Sequence, residues 1–305
     1  AALTAATHTL AREGFLLTRG HVLDSLAQAT HVVFDKTGTL TEARLVLCQL
    51  EPLQGERAHA LALISGLEAG SSHPIARAIR QVAEQEGVLP LLPDQPAELQ
   101  AGGGVSATVQ GRHYRFGHAR YALGDHAATG EEALTLWLAD DQRQPIARLV
   151  LADQIRPEAV PVVQALRERG LKTLLMSGDQ SAVPQQVATQ LGLDHWQAAM
   201  TPADKQAAIA RLQDAGAVVV MIGDGVNDAP GLGQAHLGIA MGSGTDLAQT
   251  TADVVLLGDR LPALIPAFRV AERTAAIIRQ NLRWALGYNL AILPPAALGY
   301  VPPWL

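Results

Sequence analysis

Asp35 opens the run Asp35-Lys36-Thr37-Gly38-Thr39-Leu40-Thr41 and follows His31-Val32-Val33-Phe34, an apolar stretch short enough to be a buried strand. A carboxylate at the C-terminal mouth of a parallel strand is placed to meet a ligand. The residues after it suit phosphate. Gly38 is expected to let the backbone come close, three threonines and the loop N–H groups supply donors, and Lys36 adds positive charge. A carboxylate so placed can attack a phosphoryl group and carry it as an aspartyl-phosphate. Asp, Gly and Thr are also the residues of an ordinary strand-to-helix turn, so distant partners must decide.

Three further groups fall at the ends of apolar runs. Ser177-Gly178-Asp179 follows 171–176 and offers a hydroxyl and N–H groups to a phosphoryl oxygen. Lys205, in Thr201-Pro202-Ala203-Asp204-Lys205, opens a helix and can neutralise charge on a phosphoryl group in flight. Gly223-Asp224-Gly225-Val226-Asn227-Asp228 follows 217–222. Asp224 and Asp228 there, with Asp35 and Thr37, are the candidate holders of Mg²⁺, a hard cation that prefers carboxylate oxygens and bridges to phosphate. Each group alone has a plain reading as a helix cap, a solvated lysine or a turn. All of them at equivalent strand ends make Asp35 a nucleophile.

The elements that must position these groups alternate. Strands are predicted at 31–34, 171–176, 217–222, 237–240 and 253–257, with helices at 182–190 and 203–214, which is the pattern of a parallel sheet with helices on both faces. The strand ending at Phe34 is expected to join that sheet. Between about 46 and 150 the texture changes. Two helical stretches, 56–69 and 74–85, precede a Pro-rich linker at 89–96. Strands at 105–109 and 113–116 turn at Gln110-Gly111, and a pair at 134–139 and 145–151 turns through 140–144. This reads as an antiparallel α+β domain inserted into the parallel one.

The whole chain bounds the partners. Its 305 residues suffice for two domains with substantial cores, and 48% hydrophobic with 17% charged residues is a globular balance. A formal charge of −6 without a Lys/Arg cluster argues against nucleic acid. Cys48 is the sole cysteine, so neither a disulfide framework nor a Cys-pair metal site is available. The start, Ala1-Ala2-Leu3-Thr4, has no initiator Met, and the chain is expected to be a piece of a longer protein. From Trp284 to Leu305 no residue is charged, and Arg269, Arg273, Arg279 and Arg283 precede the stretch. That reads as a membrane segment entered from the cytoplasmic side, kinked or broken near Pro294.

Asp35 with Ser177, Lys205 and Asp224/Asp228 resembles the haloacid-dehalogenase-like fold. The full string at 35–41, with 201–205 and 223–230, looks like a P-type ATPase, and the likeness covers essentially the whole chain. It implies cation transport driven by ATP, with Mg²⁺, through an aspartyl-phosphate on Asp35. The implied layout is a connector at 1–26, a phosphorylation domain at 27–45 and 151–276, a nucleotide-binding domain at 46–150, and a membrane segment at 277–305. Phosphatases of that fold carry a second Asp two positions after the nucleophile. Here that position is Thr37, and without the acid–base group water attack on the acyl-phosphate loses a factor of ~10²–10⁴.

Ser71-Ser72-His73-Pro74, with Glu68 before it and Gly102-Gly103-Gly104 after it, resembles the nucleotide pocket of heavy-metal-transporting P-type ATPases. The resemblance implies that His73 and Glu68 flank the adenine and that Gly102 and Gly104 let backbone approach the nucleotide. There is no GxxxxGK[ST] run, which removes a P-loop mode of ATP binding. Gly117-His118 departs from the family's Gly-Asn, so His118 is not taken as a site residue, and Ser177 stands where most members have Thr. Tyr288-Asn289 resembles a pair on a membrane helix of copper(I) pumps, which makes Cu(I) the expected cargo and zinc or cadmium the alternative. The family's Cys-Pro-Cys belongs to a helix upstream of Ala1. The implied setting is the cell membrane, with these domains on the cytoplasmic side. Two other readings stand: a soluble phosphatase with 46–150 as its cap, and a nucleotide-binding regulatory fragment.

Overall fold

A computed structural model describes residues 2–124 and 134–297. The chain begins with α1 (Ala2–Arg12), β1 (Phe15–Leu17), α2 (Val22–Gln28) and β2 (His31–Phe34). It then builds β3 (Thr41–Pro52), α3 (Arg57–Leu67), α4 (Pro74–Glu86), β4 (Glu98–Gln100), β5 (Gly104–Val109), β6 (Arg112–Gly117), α5 (Ala119–Leu123), β7 (Leu134–Ala139) and β8 (Pro145–Ile155). The return runs α6 (Ala159–Glu168), β9 (Lys172–Met176), α7 (Val183–Leu191), β10 (His195–Gln197), α8 (Pro202–Asp214) and β11 (Val219–Gly223). It closes with α9 (Ala229–Gln234), β12 (Leu237–Met241), α10 (Asp246–Thr251), β13 (Val254–Leu256) and α11 (Leu264–Ala297).

Two compact units result. The first comprises Ala1–Leu40, Pro157–Gly178 and Ala188–Leu305; the second comprises Thr41–Arg156 with Asp179–Val187. The first holds a seven-stranded sheet in the order β1-β13-β12-β11-β2-β9-β10. Every pairing in it is parallel except β1 with β13. Its central strands are buried throughout, as the continuous apolar runs require of a parallel sheet covered on both faces. Val33, Leu174, Met221 and Ala240 pack with Ile209 of α8, Leu232 of α9 and Ala248 of α10. Alternate residues such as Val32 and Phe34, both fully buried, point to the opposite face. There α2 and α6 lie against β12 and β9, with α11 behind them.

Register sets the chemistry. Phe34 pairs with Leu175 on one side and with Ile222 on the other, and the N–H of Asp35 donates to the carbonyl of Ile222 at 2.9 Å. Asp35, Ser177 and Asp224 therefore leave three adjacent strands at the same edge of the sheet.

The second unit is a six-stranded antiparallel sheet, β3-β8-β7-β6-β5-β4. Its core joins Leu61 and Ile64 of α3 and Ile79 of α4 to Val105, Phe116, Leu136 and Leu149. The main segment of the unit runs from Thr41 to Arg156, wider than 46–150, because β3 and β8 pair over their length from Thr41/Ile155 to Pro52/Ala147.

The stretch expected as a connector, 1–26, falls within α1, β1 and α2, which join the first unit: β1 pairs with β13, and α2 packs on α11. The expected break near Pro294 is corrected, since α11 continues through Pro294 to Ala297. Among the described residues no helix is long and apolar enough to cross a membrane. The span expected over 284–305 is thus not found in its described part, and 298–305 lie outside the described residues.

The two halves of α11 differ in what they touch. Leu264, Ala267, Phe268 and Ala271 are buried, whereas Leu286 and Leu290 are about two-thirds exposed (63% and 66%). Phe268→Ala is expected to cost about 3–5 kcal/mol, read by urea unfolding. Leu290→Ala is expected to leave the unfolding midpoint of this chain unchanged.

Candidate functional site

Lys205 is the hub of the strand-end cluster. Its position follows from the start of α8: Thr201 accepts a hydrogen bond from the Asp204 N–H, Asp204 accepts from the Thr201 N–H, and Pro202 occupies the first turn. The next residue, Lys205, turns into the sheet edge and is only 3% exposed. Its ammonium bonds both Asp35 Oδ1 and Asp228 Oδ1, the latter at 2.7 Å. Asp224 completes the group, and ligand oxygens of Asp35, Asp224 and Asp228 lie within 4.8 Å of one another. Among the described residues this is the one set of three or more His, Cys, Asp or Glu side chains able to hold an ion.

Lys205 bonds two of three clustered carboxylates, and the electrostatics register the crowding. Burial, then the charge of Asp228, pushes the Asp35 carboxyl up to about 6 against the pull of Lys205. Burial, then Asp35 and Asp228, pushes Asp224 up to about 7, with Asp259 adding a smaller push. Burial alone would lower Lys205, but the charges of Asp35 and Asp228 outweigh it and its pKa is raised. An all-carboxylate set with surplus negative charge suits a hard divalent cation.

The loop after Asp35 works differently from the expectation. Gly38 has φ +74°, and a Cβ there would lie 1.7 Å from Asp224 Oδ2. The space it frees is taken by a carboxylate, so this glycine makes room for Asp224. Thr37 donates its N–H to Asp35 Oδ2 at 3.0 Å, and a Lys36 N–H also bonds the Asp35 carboxylate. Lys36 itself is buried.

Ser177 is buried; its N–H donates to the Gln197 carbonyl at 2.9 Å and its carbonyl accepts from the Met200 N–H at 3.0 Å. A Cβ on Gly178 would stand 3.3 Å from the Met200 carbonyl oxygen. Asp179 belongs to the second unit, where its Oδ1 accepts from the Ser181 N–H at 2.9 Å and the Ser181 hydroxyl at 2.7 Å. It shapes a turn and is not among the carboxylates around Lys205.

Glu68, His73, Gly102 and Gly104 line one cavity of about 250 Å³ in the second unit, with Leu99, Phe116 and Leu136 as its apolar wall. His73 caps α4, its Nδ1 accepting from the Ile75 N–H at 3.3 Å. Arg80 fastens the preceding loop by donating to the carbonyls of Glu68 and Ser71. Burial raises the Glu68 carboxyl, against the Ser71 hydrogen bond and the charges of His73 and Arg80.

The two glycines act unlike each other. Gly102 (φ +70°) faces open space, but a Cβ on Gly104 would stand 2.2 Å from the Phe116 carbonyl oxygen. Gly104 thus serves the pairing of β5 with β6. Gly117 and His118, set aside in the sequence, line the same cavity. Their signal was their place at the end of β6, opposite Gly104.

Tyr288 is 61% exposed on α11, and Asn289 donates its side-chain N–H to the Ala285 carbonyl at 2.9 Å. Nothing described brings a ligating side chain to them.

A family model described as haloacid dehalogenase-like hydrolase matches residues 29–236. The chain is 42% identical over 309 residues to a "Probable copper-transporting ATPase SynA" of Synechococcus, covering 99% of this chain and 39% of that protein. It is 36% identical over 320 residues to a "Manganese-exporting P-type ATPase" of Mycobacterium bovis, covering 100% of this chain and 44% of that protein. A crystal structure of a zinc-transporting PIB-type ATPase in an E2·Pi state superposes with a TM-score of 0.91 at 32% identity, over 99% of this chain and 51% of that one. The chain's homologues are heavy-metal P-type ATPases, and it spans about two-fifths of the length of those curated relatives.

The raised carboxyl pKa values of Asp35 and Asp224 set a pH dependence. Each group disfavours its charged form in the fold, so its contribution is favourable below the unfolded value of ~4 and is lost as pH rises through about 6 and about 7. A divalent cation replaces those protons. The rise in thermal midpoint on adding millimolar MgCl2 is therefore expected to be larger at pH ~7.5 than at pH ~5. The Asp224→Asn variant is expected to lose most of that increment.

Proposed function

The chain belongs to the haloacid dehalogenase-like hydrolases, and from that membership we propose that it is the catalytic portion of a heavy-metal P-type ATPase. The observation that carries the proposal is the buried ammonium of Lys205 held between Asp35 and Asp228 at the carboxyl edge of the parallel sheet. In this reading a carboxylate oxygen of Asp35 attacks the γ-phosphorus of ATP. An O–P bond forms to Asp35, the bond from that phosphorus to the β–γ bridging oxygen breaks, and ADP leaves with the electron pair. Lys205 neutralises charge on the group in transfer. Ser177, at the neighbouring strand end, would receive a phosphoryl oxygen. Asp35, Asp224 and Asp228, with Thr37, would hold Mg²⁺, which supplies further charge neutralisation. Glu68 and His73 would flank the adenine, and Gly102 and Gly104 would let the backbone approach the nucleotide.

Thr37 supports a pump over a phosphatase, because no second carboxylate two residues on can activate water. The proposed whole protein moves a heavy-metal cation across the cell membrane, with these units on its cytoplasmic side. Copper(I) is the cargo we favour, on the Synechococcus relative and on Tyr288-Asn289; the manganese and zinc proteins among the relatives mark the range of the class.

Incubation with γ-labelled ATP and Mg²⁺ tests the reading. The parent chain is expected to take up acid-stable, hydroxylamine-labile label with slow turnover, and Asp35→Asn to take up none. Rapid multiple turnover of small phosphate esters would replace the proposal with the phosphatase.

A further inference from the structure

Asp224 is the carboxylate of the cluster that Lys205 does not bond, so something else must fix it. Its own backbone rests on the loop that follows β12. The N–H of Thr245 donates to the Asp224 carbonyl at 2.8 Å. Gly244 lies so close that a Cβ would stand 2.8 Å from that same oxygen and 3.2 Å from the Asp224 Cα. The loop, Gly242-Ser243-Gly244-Thr245, is therefore a platform for the residue, and its height decides where the carboxylate points.

Two side chains hold the platform. Gln249, half-buried on α10, donates from one Nε2 to the carbonyl of Gly242 at 2.9 Å and to that of Gly244 at 3.0 Å. Its backbone N–H bonds the Thr245 carbonyl at 3.0 Å, which ties the helix to the loop's last residue. Asp259 accepts from the Ser243 N–H at 2.9 Å from the other side. Asp259 itself has φ +53°, a strained setting for a side-chain-bearing residue that its surroundings must maintain. Both loop carbonyls on either side of Ser243 are thus committed to one amide. Removing that amide frees the segment that touches Asp224 without touching Asp224, Asp35 or Lys205.

We propose that Gln249 is a positioning residue for Asp224, its amide clamping the loop 242–245 so that the Asp224 carboxylate stays turned toward Asp35 and Asp228 for a divalent cation. The proposal rests on the cation reading of that cluster. Groups that orient a metal ligand from behind alter affinity when lost, and here the effect passes through one loop.

Calorimetric titration of the full chain with MgCl2 tests it. Gln249→Met, of similar length but without an N–H, is expected to bind Mg²⁺ roughly 3–10-fold more weakly than the parent. Its thermal midpoint without Mg²⁺ is expected to stay at the parent value. Gln249→Lys, which restores N–H donors at that reach, is expected to recover the affinity. Equal affinity in the parent and Gln249→Met would overturn the proposal. So would a loss in both variants that tracks a lowered thermal midpoint, which would mark packing alone. A parent chain that takes up no Mg²⁺ would overturn the cation reading and this proposal with it, and that result is seen before any variant is made.

Discussion

The buried ammonium of Lys205 bonds two of three carboxylates packed together at the sheet edge, and that crowding of like charge is the constraint on which the site depends. Lys205 bonds Asp35 and Asp228, and Asp224 is left beside them with its carboxyl pushed up to about 7. Taking like charges out of water together is costly unless they are paired. The fold meets part of that cost with one lysine and leaves the remainder as an attraction for added positive charge. Asp35 is held at that edge by Lys205 and by the Thr37 N–H, so its position is over-determined.

The scaffold that enforces the arrangement is mostly backbone. The pairing of Phe34 with Leu175 and Ile222 aligns three strand ends, and the N–H of Asp35 is tied to the Ile222 carbonyl. A capping box sets the start of α8 and hence the depth of Lys205. The glycine at 38 vacates the volume that the Asp224 carboxylate fills. None of these devices is one of the clustered carboxylates or Lys205, yet a shift in any of them would move one.

Much of this was legible in the sequence, and for physical reasons. Apolar runs of four to six residues ending in Asp, Ser or Gly-Asp mark buried parallel strands and their carboxyl ends, so 31–34, 172–176 and 219–223 could be read along with the groups that follow them. The helix starts at Pro74 and Pro202 announced themselves through Pro and a preceding cap. By contrast, β3 hides because its burial does not alternate and its pairing shifts register near Leu45 and Gln49. The role of Gly38 depends on a residue 186 positions away, and Gly104 is held by a contact with β6. Local spacing carries neither. Two prolines near the described end of α11 do not break it, because the backbone stays helical to Ala297.

Residue 37 sits in the loop whose N–H bonds the Asp35 carboxylate, and the account holds that its lack of an acid–base group keeps the acyl-phosphate alive. The most direct measurement is the lifetime of the labelled phosphoenzyme in Thr37→Asp against the parent after a chase with unlabelled ATP. Label is expected still to form on Asp35 but to decay roughly 10²–10⁴-fold faster. A phosphoenzyme as long-lived in Thr37→Asp as in the parent would contradict it.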